Sequence, residues 1–159
     1  MSTSAVTPPR WAVYSTFVLS LIGLGLSAFL TYAHFHGTSI LACSNAATLV
    51  DCAAVTTSQW SYLFGIPVAV LGLINFIIMV GLNSPWGWKI TNYWINLGRF
   101  VLSIGGMIFV LWLVYCELVK INHLCLYCTG VHIVSFVLLV ILTRVSPAQL
   151  GWVSTSAQE

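Results

Sequence analysis

Four long apolar stretches with very few charged residues limit most strongly what this chain can fold into. They run from Trp11 to Tyr32, from Tyr62 to Leu82, from Phe100 to Leu118 and from Leu124 to Thr143. Each stretch is long enough, as a helix, to cross a hydrocarbon layer of about 30 Å. Only 5% of the 159 residues are charged, whereas soluble domains contain about 25%. The sequence therefore predicts an all-α integral membrane protein, a bundle of four transmembrane helices.

The basic residues predict the orientation of this bundle. Four of them fall on one side of a four-span chain and Lys120 falls on the other; the four are Arg10, Lys89, Arg99 and Arg144. Because short basic segments tend to stay in the cytoplasm, residues 1–10 and 144–159 are predicted to be cytoplasmic ends of one membrane domain, residues 11–143, in the cell membrane. The net charge of +2 comes without a basic cluster, so nucleic acid is not an expected partner.

The segment between the first two stretches, Ala33 to Ser61, is too long for a simple connector. This long loop is predicted to be extracytoplasmic and to lie over the bundle, and loops of this kind usually carry function. Its last part, Ala53 to Trp60, is predicted to form a short interfacial helix with the indole at headgroup depth. Phe64 and Pro67 are then predicted to lie in the first turn of the second spanning helix.

Two pairs of cysteines are the candidate reactive groups, Cys43 with Cys52 in the long loop and Cys125 with Cys128 in a CxxC motif. The predicted topology puts all four on the oxidising side of the membrane. Because the CxxC motif begins a helix, unpaired backbone N–H groups and the helix dipole should stabilise a thiolate there. On an ideal helix Cys125, Cys128 and His132 lie within about 60° of one another. Such a polar stripe in a membrane helix should face a pocket, not lipid.

The motif alone leaves other chemistries open. A zinc site could use Cys125 and Cys128 with two of the four histidines, His34, His36, His123 and His132. A purely structural bundle with a disulfide in its loop is a third interpretation. Covalent haem is not expected, because Thr129 and not histidine follows the second cysteine. Cys116 is interpreted as a packing residue. Two pairs on one side of the membrane favour a disulfide relay.

In order and position these residues resemble the vitamin K epoxide reductase family, from the first span to the fourth. The shared pattern is a loop pair of cysteines, a serine six residues after the second of them, Phe-Gly near the start of the second helix and CxxC at the start of the fourth. Here the serine is Ser58 and the Phe-Gly pair is Phe64 and Gly65. The resemblance is to bacterial homologues without a fused thioredoxin domain. It differs from the DsbB type, in which the CxxC belongs to the first extracytoplasmic loop.

The resemblance implies a role for each cysteine. Cys43 would exchange with a partner protein, Cys52 would pass the electrons to Cys125, and Cys128 would meet a quinone. The partner would be a separate thioredoxin-like, DsbA-like protein outside the membrane. The chain would thus be a membrane thiol:quinone oxidoreductase that supports disulfide bond formation in exported proteins.

The resemblance also implies a quinone pocket formed in part by Ser58 and Phe64. His132 stands where vertebrate members have a tyrosine that hydrogen-bonds the quinone, and it could hydrogen-bond a quinone oxygen or relay a proton. The expected electron acceptor is menaquinone or ubiquinone. A dithiol-driven reductase of vitamin K epoxide is the alternative within the family.

Overall fold

The computed structural model describes residues 7–43, 49–90 and 92–152, and it is mostly helical. Its elements, in chain order, are α1 (Arg10–His36), α2 (Cys52–Thr57), β1 (Tyr62–Leu63), β2 (Ile66–Pro67), α3 (Val68–Asn83), α4 (Pro85–Lys89), α5 (Tyr93–Tyr115), a π-helical turn (Cys116–Ile121) and α6 (Leu126–Gln149). Single 3₁₀ turns at Thr38–Ile40 and Gln59–Ser61 complete the long loop.

Three helices in the described residues are long and apolar enough to cross a membrane: α1, α5 continued through the π-helical turn, and α6. α3 is apolar but has only 16 residues. Many large apolar side chains on these helices point outward, including Ile108 on α5 and Ile133 on α6. An outer surface of this kind is compatible with lipid and not with water.

The predicted start of the second span at Tyr62 is wrong. The segment from Tyr62 to Pro67 forms a two-stranded antiparallel hairpin, and the helix begins only at Val68. Phe64 and Gly65 form its turn with φ values of 52° and 81°, a left-handed conformation that a helix cannot contain. The predicted short helix in the long loop is present as α2, although it starts at Cys52 and ends at Thr57.

α1 packs on α3 and α6, and α5 packs on α6. Gly23 of α1 lies against the ring of Phe76 on α3, so a side chain at this position would collide with the ring. Lower in the same interface, Asn83 Nδ2 donates to Ser20 Oγ over 3.0 Å, with both side chains fully buried. Small residues and interhelical hydrogen bonds are the usual means of joining helices in lipid.

The topology prediction counted Arg99 outside the spans, but in the structure Arg99 lies within a helix. It lies in the second turn of α5 and is fully buried. Its guanidinium donates to the carbonyl oxygens of Leu82 (2.6 Å) and Gly87 (3.2 Å) and stacks on Trp88, 3.7 Å from the ring centroid. The charge therefore joins the end of α3, the short helix α4 and the start of α5.

The last helix extends beyond its predicted end at Thr143, since α6 continues to Gln149. Residues 144–149 of the predicted tail are thus helical. Within the predicted ends, residues 1–6 and 153–159 lie outside the described residues.

Candidate redox site

The loop pair of cysteines is disulfide-bonded, and both residues are buried. Cys43 precedes the undescribed residues 44–48, and Cys52 is the first residue of α2. Asp51 caps this helix, because its carboxylate accepts hydrogen bonds from the backbone N–H groups of Ala53 (3.0 Å) and Ala54 (3.1 Å). The cap fixes the helix that carries Cys52.

Cys125 occupies the N-cap position of α6, and its sulfur accepts a hydrogen bond from the backbone N–H of Cys128 over 3.3 Å. Both cysteines of the motif are free thiols in this structure. Cys125 is fully buried and belongs to the same apolar cluster as Cys43 and Cys52. Cys128 is only partly buried and packs against that cluster. Three of the four predicted cysteines thus share one core, with the fourth at its edge.

Backbone hydrogen bonds connect the long loop to the residue before the CxxC motif. Leu124 N donates to the carbonyl oxygen of Leu49 over 2.8 Å, and Asp51 N donates to the carbonyl oxygen of Leu124 over 3.1 Å. Together they make a short parallel bridge between Val50 and Leu124. The segment leading into Cys52 is therefore held beside the segment leading into Cys125.

A cavity of about 470 Å³ lies below the cysteines, between α1, α3, α5 and α6. Its wall is mostly apolar, and Cys128, His132 and Ser135 line it from α6. The prediction that this stripe faces a pocket is confirmed for Cys128 and His132. Cys125 is not on the cavity wall, because as N-cap it lies above the first turn of the helix.

The long loop covers part of this cavity. Ser58 and Trp60 line it, and so does His34 from the end of α1. His34 Nδ1 donates to the carbonyl oxygen of Thr56 (3.2 Å), and the Tyr62 hydroxyl donates to His34 Nε2 (3.0 Å). These hydrogen bonds connect the long loop to α1 over the cavity.

Phe64, predicted to help to form a quinone pocket, is not on the cavity wall. Its side chain is 96% exposed at the tip of the hairpin. Ser58 Oγ does line the cavity, although its hydrogen bond goes to the carbonyl oxygen of Val55 (3.0 Å).

Glu117 is a residue that the sequence analysis missed. It lies in the predicted third span and is only 3% exposed. It lines the cavity, and its carboxyl group lies beside the start of α6, where it interacts with the backbone N–H of Cys125 and with the thiol of Cys128. The available signal was an acidic residue within an apolar span, since such residues face functional cavities.

The described residues contain no group of three or more His, Cys, Asp or Glu side chains that could hold a metal ion. In particular, His34 is engaged by Thr56 and Tyr62, and His36 Nδ1 by the carbonyl oxygen of Tyr32. The geometry gives no support to the zinc interpretation of the CxxC motif.

A bundle of apolar helices with two cysteine pairs above an apolar cavity is the arrangement expected of a membrane oxidoreductase. Comparison with protein families matches residues 14–143 to the vitamin K epoxide reductase family. Because the match covers most of the 159 residues, the chain belongs to this family. It is therefore a membrane oxidoreductase of a family whose members act with quinones and thiols.

Proposed function

We propose that this chain carries electrons from a reduced thioredoxin-fold protein outside the membrane to a quinone in the cavity. In this relay the partner reduces the disulfide between Cys43 and Cys52 and leaves oxidised. The Cys52 thiol then attacks Cys125 of an oxidised CxxC pair, and Cys128 takes up the proton and is released as a thiol beside the quinone. Cys43 in turn attacks Cys52, which restores the loop disulfide and releases Cys125 as a thiol. The result is a thiol:quinone oxidoreductase that supports disulfide formation in exported proteins.

One observation carries this proposal: Cys52 and Cys125 lie in the same buried cluster, and Cys128 borders both this cluster and the cavity. Exchange between the pairs needs a sulfur of one close to a sulfur of the other, and the bridge at Leu124 supports that approach. The burial of Cys125 also fits a role in which it exchanges only with Cys52 and Cys128 and not with a partner protein.

The size and the lining of the cavity support the ring of a menaquinone or ubiquinone as its ligand. Ligand pockets are usually about 300–1,000 Å³, mostly apolar and equipped with a few polar groups that set orientation. The polar groups on this wall include His132, Ser58 and Asn75. A bound quinone would supply the two-electron acceptor, and His132 would hold one of its oxygens by a hydrogen bond. Phe64 would contribute only if the hairpin bent towards the cavity.

α3 completes the proposed set of four spans. Its 16 residues rise about 24 Å, and the apolar hairpin before it, with Ile66 exposed, extends this length towards the long loop. With four spans in residues 11–143, both ends lie in the cytoplasm of the cell and the long loop faces the oxidising side. The basic residues near the ends, Arg10 and Arg144, support this orientation.

The test is quinone reduction by the purified protein in liposomes, with a reduced thioredoxin-fold protein as electron donor and a short-chain menaquinone as acceptor. Cys128→Ala should abolish the reaction, since no other thiol lies on both the cluster and the cavity wall in the described residues. Leu126→Ala is the matched control. This residue stands inside the same motif but is exposed on the outer face of α6, and its variant should keep the wild-type rate.

Full quinone reduction by Cys128→Ala would refute the relay. Reduction by the wild type of vitamin K epoxide, but not of the parent quinone, would favour the alternative activity within the family. A wild-type protein that exchanges disulfides with the partner and reduces neither compound would leave only the thiol chemistry.

A further inference from the structure

Glu117 has a buried carboxyl group next to the reactive thiol. It is 3% exposed, lines the same cavity as Cys128 and interacts with the Cys128 thiol. Within the described residues, no lysine or arginine side chain is among the groups that act on this carboxyl. A charged residue is rarely buried in a membrane helix without a functional partner, and here the partner is the CxxC motif.

The local backbone explains how Glu117 reaches this place. It is the second residue of the π-helical turn, and π turns within α-helices occur frequently at functional sites. The turn ends at Asn122, which has φ 56°, and His123 N donates back to the carbonyl oxygen of Glu117 over 3.2 Å. The chain thereby folds back so that the start of α6 lies over the carboxyl group.

The start of α6 partly offsets the cost of burying a negative charge at Glu117. The carboxyl group interacts with the N–H of Cys125, one of the donors at this helix end that have no partner within the helix. The helix dipole at an N-terminus stabilises a carboxylate. The carboxyl group therefore lies beside the thiol whose proton must leave, which is the position that a general base occupies.

We propose that Glu117 is a catalytic residue that accepts the proton of the Cys128 thiol and delivers it to the quinone side of the cavity. The inference rests on the function proposed above and adds to it the path of the proton.

The proton transfer accompanies oxidation of the CxxC pair by the quinone. The S–H bond of Cys128 breaks as its proton passes to the Glu117 carboxylate, and the S–H bond of Cys125 breaks as the disulfide between the two sulfurs forms. Two electrons leave the sulfur atoms, and the quinone, as oxidant, takes them together with two protons and becomes the hydroquinone. Glu117 returns to the carboxylate when it gives up its proton to that product.

Several other titratable groups lie near Glu117. From α1, α6 and its own segment these are His34, Cys125, Cys128, His132, Cys116, Lys120 and His123. His34 is engaged by Thr56 and Tyr62. His132 lies one helical turn beyond Cys128, closer to the body of the cavity, so it fits a contact with the quinone better than one with the thiol.

The first measurement is quinone reduction in a single turnover, from pH 5 to pH 9, with Glu117→Gln and Glu117→Asp. The amide keeps the size of the side chain and can still accept from Cys125 N–H, but it cannot take a proton. We expect Glu117→Gln to lower the rate by about 10²-fold or more near neutral pH. We also expect it to lose the rise of rate with pH that follows ionisation of the carboxyl group. Glu117→Asp should keep that rise at a lower rate.

The second measurement needs no quinone: the rate at which N-ethylmaleimide alkylates Cys128 in the reduced protein, followed by peptide mapping. A carboxylate that is only a nearby negative charge opposes thiolate formation, so its removal would speed alkylation. A carboxylate that takes the proton assists the reaction, so Glu117→Gln should slow alkylation severalfold. Asp51→Asn is the matched control, because it also removes one negative charge but keeps the α2 cap, and it should leave this rate unchanged.

The outcomes are distinct. Slower alkylation and slower quinone reduction in Glu117→Gln support the inference. Alkylation of Cys128 that is unchanged or faster, or a wild-type quinone rate and pH profile in Glu117→Gln, overturns it while the proposed function stands. A wild type that reduces no quinone overturns the proposed function, and slower alkylation in Glu117→Gln would then still support Glu117 as the base for Cys128.

Discussion

Replacement of Arg99 by methionine tests the buried cluster at the end of the bundle away from the cysteines. Methionine keeps an unbranched apolar stem but removes every donor. The carbonyl oxygens of Leu82 and Gly87 would lose the donors that now lie 2.6 Å and 3.2 Å away. Each buried acceptor left without its partner costs about 1–3 kcal/mol.

Loss of the stacking on Trp88 adds about 2 kcal/mol at a desolvated site. Effects within one network do not add fully. We therefore expect Arg99→Met to reduce the free energy of unfolding by about 3–5 kcal/mol. For a protein of this size that lowers the midpoint of thermal unfolding by roughly 6–20 °C.

The assay is thermal unfolding in detergent, followed by circular dichroism. Arg99→Lys keeps the charge without the planar fork and should fall between the wild type and Arg99→Met. Arg10→Met is the matched control, since Arg10 is exposed at the start of α1 and its loss should change stability by less than about 0.5 kcal/mol. A midpoint for Arg99→Met within about 2 °C of the wild type would refute the reasoning from buried acceptors.

Three further predictions concern the site. Cys43→Ala should accumulate a disulfide between Cys52 and Cys125, detected as a linked peptide by mass spectrometry, because the resolving thiol is gone; a protein without this species contradicts the order of transfer. Gly106 lines the cavity, and the nearest side-chain atom to a Cβ added there, Asn75 Nδ2, is 3.7 Å away, so a leucine side chain would enter the cavity. Gly106→Leu should therefore raise the KM for quinone about tenfold without slowing reduction of the loop disulfide by the partner. An unchanged KM would place the quinone elsewhere. Asp51→Ala removes two capping hydrogen bonds and should destabilise α2 by about 1 kcal/mol, so that the amides of α2 exchange hydrogen about fivefold faster. Asp51→Asn should exchange as the wild type does. A wild-type exchange rate in Asp51→Ala would show that the cap is unimportant.

The sequence predicted the long helices well where a strong local signal existed. Apolar length indicated the spans of α1, α5 and α6, and helical periodicity correctly placed Cys128 and His132 on one wall. The start of α3 was not predictable in the same way. The residues Tyr62 to Pro67 are as apolar as a span, and only the left-handed backbone at Phe64 and Gly65 separates a hairpin from a helix.

Two buried charged residues within the helices show a different limit. Arg99 donates a hydrogen bond to the carbonyl oxygen of Leu82, which is distant in sequence. Glu117 interacts with the N–H of Cys125, which comes close only because the chain turns back after the π-helical turn. A hydropathy pattern treats both as residues to be kept near water. Tertiary contacts decide that they are buried.

The bridge between Leu49–Asp51 and Leu124 has a kinetic consequence. Because it holds the chain of Cys52 beside that of Cys125, exchange between the two pairs is an intramolecular reaction. Well-oriented groups in such reactions behave as if their concentration were about 10⁵–10⁸ M. Dilution of the protein in the lipid should then leave the internal transfer unaffected, so that only encounters with the two diffusing reactants, partner and quinone, depend on concentration.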